Sequence, residues 1–265
     1  MDKLYLNKDN YFSKEAGEVY FSASQIKAFK RCEASALAEI RGEYERPMSQ
    51  ALLQGQFVDE ALTGNYGEWA LKNASLISKR DGNLKAEFMQ CSEMVRRAER
   101  DPLFMEYMKG DHQTIVTCPI FGFPFKAKLD VLGDGRIVDL KTVKDLSPVY
   151  MPGQGRVDFA TAWDWPLQMA IYQKMMYGHT GEMLPCYLAV ITKENPPDIR
   201  IIRVEQERMD AELAWLETVL PRYEAIKEGL IEPERCEKCA YCRETRVLEA
   251  PETLSDFEEG GFIDE

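Results

Sequence analysis

Apolar residues recur at helical spacing through most of the first hundred positions, then give way to short alternating or continuous runs after position 110. Ser22-Ala23-Ser24-Gln25 reads as a capping box. It starts a helix whose apolar stripe takes in Ile26, Phe29, Ala36, Leu37 and Ile40, with Glu33 interrupting it. Helices are expected again near 49–63, 66–77 and 84–100, the last stopping before Asp101-Pro102 because the residue ahead of a proline avoids helical backbone. A strand near 113–121 then leads into a hairpin, 125–132 and 136–142, turned at Asp134-Gly135. A helix over 160–177, strands over 186–192 and 198–204 around Glu194-Asn195-Pro196-Pro197, and a long helix from Gln206 to about Gly229 complete the order. The segment 144–158, with two prolines and two glycines, is expected to be a mobile loop. The pattern αααα-βββ-α-ββ-α predicts an α/β fold, with a central mixed sheet flanked by helices and a helical N-terminal part.

With 265 residues, 45% of them hydrophobic, the chain can bury a substantial core and lies in the range of one α/β domain. We expect that domain over 1–250: helical to about 110, a core over 111–230, and a cysteine cluster at 232–245. The acidic tail 251–265 reads as disordered, although Phe257, Phe262 and Ile263 could dock on a partner or another subunit. No apolar leader and no run long enough to span a bilayer is present, which points to the reducing cytoplasm. The two histidines, His112 and His179, are too few for most histidine-based schemes. No phosphate-binding Gly-x-x-x-x-Gly-Lys motif occurs, and Gly153-Gln154-Gly155 opens no dinucleotide fingerprint.

The hairpin carries the chemistry. Asp130 ends one strand, and Asp139-Leu140-Lys141 lies within the next, flanked by the apolar Ile137-Val138. Charged groups in so apolar a strand need a reason. Adjacent antiparallel strands sit about 4.8 Å apart and residues two apart share a face, so Asp139 and Lys141 would project together toward Asp130. Phosphodiester cleavage asks for such a set: carboxylates to hold a hard divalent ion, and an ammonium to orient water or offset charge in the transition state. Gln168 and Tyr172 follow one helical turn apart, on one face. Ahead of them, Trp163-Asp164-Trp165-Pro166 could stack on unpaired bases or pack into the core.

Seven cysteines are present, three of them in Cys236-Glu237-Lys238-Cys239-Ala240-Tyr241-Cys242. In a reducing compartment that run reads as a metal-binding loop for zinc or iron–sulfur, one ligand short of the usual four. The net charge of −12 is awkward for a protein of nucleic acid. Its basic residues would have to act locally, and Lys126, Lys128, Lys141, Lys144 and Arg156 gather around the hairpin while much of the acid lies elsewhere.

Four pieces of this chain, in order, resemble the PD-(D/E)xK nuclease superfamily, in particular the RecB-nuclease branch with phage RecE-type (exodeoxyribonuclease VIII-like) exonucleases and CRISPR-adaptation nucleases. They are Phe21-Ser22-Ala23-Ser24-Gln25-Ile26 leading to Cys32, Gly55-Gln56-Phe57-Val58-Asp59, the hairpin, and Gln168-Met169-Ala170-Ile171-Tyr172. The resemblance implies a restriction-endonuclease-like core and a Mg²⁺- or Mn²⁺-dependent exonuclease acting on linear DNA in phage or prophage recombination. Asp130 and Asp139 would be metal ligands, Lys141 the residue that positions water, and Gln168 and Tyr172 its support. DNA would be contacted by Lys126, Lys128, Lys144, Arg156 and Trp163. Family members commonly carry a histidine where this chain has Asp59; Asp59, or Glu60 beside it, would supply the third metal ligand. Leu129 replaces the proline that names the superfamily. The branch also implies Cys32 as fourth ligand to a [4Fe–4S] cluster with Cys236, Cys239 and Cys242, although the last gap is shorter here than usual and zinc remains open. A single-strand annealing recombination protein and a homo-oligomer are the implied partners. A non-catalytic DNA-binding module and a CRISPR-adaptation nuclease are the alternatives.

Overall fold

The amphipathic segments of the N-terminal part fold, in a computed structural model that describes residues 4–248, 250, 251, 253 and 254, into eight helices among those residues. These are α1 (Lys14–Val19), α2 (Ala23–Arg31), α3 (Glu33–Arg41), α4 (Gln50–Leu62), α5 (Tyr66–Lys72), α6 (Ala74–Ile77), α7 (Ala86–Glu99) and α8 (Pro102–Tyr107). The single helix expected from Ser22 to Ile40 is two. Cys32 takes extended backbone (φ −167°, ψ 110°) and α3 restarts at Glu33, whose carboxylate accepts two hydrogen bonds from Arg222, at 2.7 and 2.8 Å, and one from the Glu234 N–H. Only half of the capping box forms: Ser22 Oγ accepts the Gln25 N–H, but the Gln25 amide donates to the Gly17 carbonyl. The expected 66–77 helix also divides, at Asn73, whose side-chain amide donates to the Trp69 carbonyl and competes with the helix backbone.

Strands β1 (Asp111–Ile120), β2 (Phe123–Gly133) and β3 (Arg136–Val143) follow, and the presumed loop after them contains a small hairpin, β4 (Val149–Met151) with β5 (Gly155–Val157). Then come α9 (Phe159–Ala162), α10 (Trp165–Thr180), β6 (Cys186–Thr192), β7 (Ile199–Arg203), α11 (Gln206–Lys227) and α12 (Ala240–Glu244). The helix expected over 160–177 is interrupted at Asp164, which adopts left-handed backbone (φ 52°) and begins α10 afresh. The expected tail lies mostly outside the described residues.

The main sheet runs β1-β2-β3-β6-β7, with β3 and β6 parallel and the other neighbours antiparallel. Both faces are covered. Ile137, Val143, Leu188 and Val190 pack with α2, α3, α10 and α11, whereas Val138, Leu140, Ala189 and Ile191 pack with α4, α7 and α8. This is the mixed sheet flanked by helices that the patterning predicts. Helix α10 lies close on β1 because Gly178 has no side chain: a Cβ there would stand 2.4 Å from Cys118 Sγ. Among the described residues no helix is long and apolar enough to cross a membrane.

Candidate active site

Strands β2 and β3 pair only from Gly133–Arg136 to Val131–Val138; beyond that rung they separate. Asp130 Oδ2 accepts the Leu140 N–H at 3.0 Å, satisfying a backbone donor that the parted strands leave between them. Residues two apart on a strand ordinarily share a face. Here Leu129 belongs to one core layer and Val131 to the other, so β2 turns over at Asp130. Across from it on β1, between the rungs His112–Val131 and Thr114–Leu129, Gln113 has left-handed backbone (φ 54°), a strained conformation for a side-chain-bearing residue. Its side chain faces the site, where Nε2 donates to Asp59 Oδ2 at 2.9 Å.

Asp139 is 1% exposed. Its Oδ1 accepts from Gln168 Nε2 at 2.7 Å, and Lys141 Nζ lies against Oδ2. Gln168 Nε2 also donates to the Tyr172 hydroxyl at 3.0 Å. The amide oxygen faces two ammonium groups: Lys27 at 2.7 Å and Lys141 at 3.4 Å. The expected pair one turn apart on a helix thus meets the expected Asp-x-Lys.

The charges are strongly coupled. Burial, then the Asp139 charge, holds the Asp130 carboxyl well above the usual range. Burial, then Glu60, raises Asp59 to about 6. Burial works against the Lys141 ammonium, but Asp139 and Asp130 hold it above its ordinary value. Lys27 is drawn down to about 7 by burial and by Lys141. Burial, followed by Asp139, pushes the Tyr172 phenol far up, so it stays protonated.

This floor opens into a cavity of about 870 Å³ lined by Asp59, Asp130, Lys141, Lys27, Arg31, Lys144, Lys193 and the aromatic wall Phe159, Trp163 and Trp165. Asp59 lines it and Glu60 does not. Asp59 Oδ1 is buried without a hydrogen-bond partner, as is Asp139 Oδ2 apart from its ion contact with Lys141. Buried carboxylate oxygens left without hydrogen-bond donors suit a hard divalent cation, and Asp59, Asp130 and Asp139 are the residues that would hold it. The three are looser than the cysteine group described below, and Lys141 presently neutralises Asp139.

Of the cationic and aromatic residues expected to meet DNA, Lys144 and Trp163 reach the cavity, Trp163 being 51% exposed. Trp165 is core, with Lys141 over its ring at 5.6 Å. Arg156 is exposed on β5 and is not among the residues of the cavity wall. Lys126 is a correction. It is 5% exposed, its Nζ donates to the Tyr11 carbonyl at 2.6 Å, and it sits over the Tyr11 ring, because the segment before α1 covers this part of β2. Lys128 lies over the Phe12 ring of the same segment at 5.0 Å, although its charge still acts on Asp59. Sequence reasoning missed Lys27, Gln113 and Tyr11. The Tyr11 phenol is raised by burial and then by the Asp130 charge.

On the far side of α2, Cys32, Cys236, Cys239 and Cys242 place their sulfurs all within 4.8 Å of one another. Cys32 and Cys242 Sγ are 3.5 Å apart and Cys236 and Cys242 Sγ 3.9 Å apart. Backbone N–H groups of Cys239 and Cys242 donate to Cys236 and Cys239 Sγ at 3.3 and 3.4 Å. Burial opposes the Cys236 thiolate, but the backbone N–H groups of Lys238 and Cys239 stabilise it and bring the thiol down to about 6. The break at Cys32 is what turns its thiol to the C-terminal segment.

Residues 22–245 match the family described as a PDDEXK-like domain of unknown function (DUF3799). The chain is also similar to the crystal structure of a candidate exonuclease from Eubacterium rectale, with 37% identity over 97% of this chain and 99% of that one and a TM-score of 0.93. No curated protein matches it. With the strand-parting hairpin, its Asp-x-Lys and the supporting glutamine in place, the chain belongs to the PDDEXK-like DUF3799 family of the PD-(D/E)xK nuclease superfamily.

Proposed function

We propose that this nuclease-fold protein is a divalent-metal-dependent deoxyribonuclease that hydrolyses linear DNA from its ends. The observation that carries the reading is the convergence of Asp59, Asp130 and Lys141 at the floor of one cavity with a cationic and aromatic rim, with the buried Asp139 paired to Lys141 just behind that floor. A divalent ion held by the three carboxylates would supply Lewis acidity toward the phosphoryl group and an acidified water. The remaining work falls to side chains. Lys141, held protonated by its neighbours, stabilises the charge that develops on the phosphoryl oxygens and orients the attacking oxygen. Gln168 Nε2 holds Asp139 at Oδ1, and its second N–H is accepted by the Tyr172 hydroxyl. Arg31, Lys144 and Lys193 at the rim offset the net charge of −12 where the phosphate backbone would enter, and Trp163 offers a stacking face. Action at ends is supported by the description of the similar E. rectale protein as a candidate exonuclease. A place in phage recombination beside a single-strand annealing protein rests on the RecE resemblance alone. The test is digestion of end-labelled linear DNA with Mg²⁺, Mn²⁺ or EDTA: metal-dependent release of label is expected, and its absence under every metal overturns the reading.

The four cysteines form a second metal site in this account. Zn–S bonds of ~2.3 Å at tetrahedral angles place thiolates about 3.8 Å apart, close to the observed 3.5 and 3.9 Å. A [4Fe–4S] cubane inserts four irons between its ligands and would spread them further. The geometry therefore favours one zinc ion over the iron–sulfur cluster that the family resemblance suggests. Its service is to staple the break between α2 and α3 to the chain's end.

A further inference from the structure

Helix α2 buries Ile26 and Phe29 in the core, which leaves Lys27 on the side toward the cavity. Lys27 lines the 870 Å³ cavity and also a smaller one of about 110 Å³ behind it, shared with Ser22, Ser24, Lys126, Gln168 and Tyr172. It therefore stands in the wall between the two, with its Nζ 2.7 Å from Gln168 Oε1.

A carboxamide has a donating end and an accepting end of nearly the same shape, so its neighbours decide which way it points. Gln168 Nε2 is given to Asp139 Oδ1 and the Tyr172 hydroxyl; Oε1 is given to two ammonium groups. Turned by half a revolution, the amide would set its oxygen against the Asp139 carboxylate and its N–H groups against Lys141 and, while Lys27 carries its proton, against Lys27, all repulsive. Lys141 alone is a weak restraint: it is 3.4 Å from the amide oxygen and is already committed to Asp139. Lys27 makes the shorter bond and has no other hydrogen-bond acceptor described for it. We propose that Lys27 is a positioning residue of the nuclease site: through Gln168 Oε1 it locks the amide so that Nε2 holds Asp139 Oδ1, with Oδ2 turned to Lys141.

The proposal rests on the nuclease reading for its kinetic consequence but not for its geometric one, so two readouts are needed. The first is a double-substitution cycle on linear DNA with Lys27→Met, Gln168→Ala and the pair. Lys27→Met is expected to lower kcat roughly 10- to 100-fold, as loss of a residue supporting a metal ligand does. DNA affinity should stay within about twofold and Lys27→Arg should restore part of the rate. In the Gln168→Ala background the Lys27 substitution should add almost nothing, because residues acting as one unit are not additive. Independent, multiplying losses, or a loss confined to DNA affinity, would overturn the proposal and make Lys27 a direct phosphate contact. The second readout needs no activity: the side-chain ¹⁵N amide resonance of Gln168 should be single and protected from exchange in the wild type and shifted or broadened in Lys27→Met, with the fold monitored by the remaining spectrum. An unchanged Gln168 amide signal would overturn the proposal even if the wild type cleaved no DNA, whereas a wild type that fails to cleave would speak only against the nuclease reading.

Discussion

Asp130 Oδ2 accepts the backbone N–H of Leu140 at 3.0 Å, so one candidate metal ligand also completes the β-sheet at the point where its strands part. The two duties can be separated. Asp130→Asn keeps an oxygen for the Leu140 N–H and removes the charge, and should abolish cleavage with little change in thermal stability. Asp130→Ala leaves a buried donor unmet and should also cost about 1–3 kcal/mol of folding free energy. Chemical denaturation beside a nuclease assay distinguishes them; equal stability losses would show that the carboxylate's charge, rather than its oxygen, holds the strands.

Against the pull of burial, Lys141 is held protonated by Asp139 and Asp130, and it lies in an ion pair with Asp139. Lys141→Ala is expected to reduce kcat by about 10²-fold or more, in the range seen when a group stabilising transition-state charge is lost. DNA binding in Ca²⁺, measured by fluorescence anisotropy, should change little.

Asp59 gives a pH dependence whose sign follows from its raised pKa of about 6. Without metal the folded state binds the proton more tightly than the unfolded one, so the stability Asp59 contributes is complete below about pH 4 and is lost as pH rises through 6. A bound cation reverses this by favouring the carboxylate. Relative to Asp59→Asn, the metal-free wild type should lose melting temperature between pH 4 and 7, and Mg²⁺ should restore it at pH 7 more than at pH 5. A wild-type-minus-variant difference that does not vary with pH would remove Asp59 from the metal site.

The cysteine site should contain one zinc per chain by elemental analysis, with no visible absorption from an iron–sulfur cluster in anaerobically prepared protein. Cys236→Ser or a strong chelator should release it and lower the melting temperature, since an ion bound only by the folded state stabilises by mass action. Four irons per chain would restore the cluster that the family resemblance implies.

The hairpin and its Asp-x-Lys were legible because strand alternation and apolar flanks are local, and so was the glutamine–tyrosine pair one turn apart. What joins distant parts of the chain was not. Lys27 meets Gln168 across 141 positions, and nothing in the helical stripe of Ile26 and Phe29 says what the opposite face will touch. Lys126 read as a DNA contact because it precedes Asp130 on one strand; the segment carrying Tyr11, 115 residues away, covers it. The break at Cys32 was hidden for the same reason. An apolar stripe interrupted only at Glu33 favours one helix, and the bonds that Glu33 makes where the helix divides come from Arg222 and Glu234. Gln113 was missed because its role depends on left-handed backbone, which no residue-type pattern announces for glutamine.

The most direct test of the central claim compares wild type and Lys141→Ala on end-labelled linear duplex and on covalently closed circles, each with Mg²⁺, Mn²⁺ or EDTA. Wild type should degrade the linear DNA only with metal and spare the circles, and Lys141→Ala should lose that activity. Binding of DNA without cleavage under every metal, or undiminished cleavage by Lys141→Ala, would contradict it.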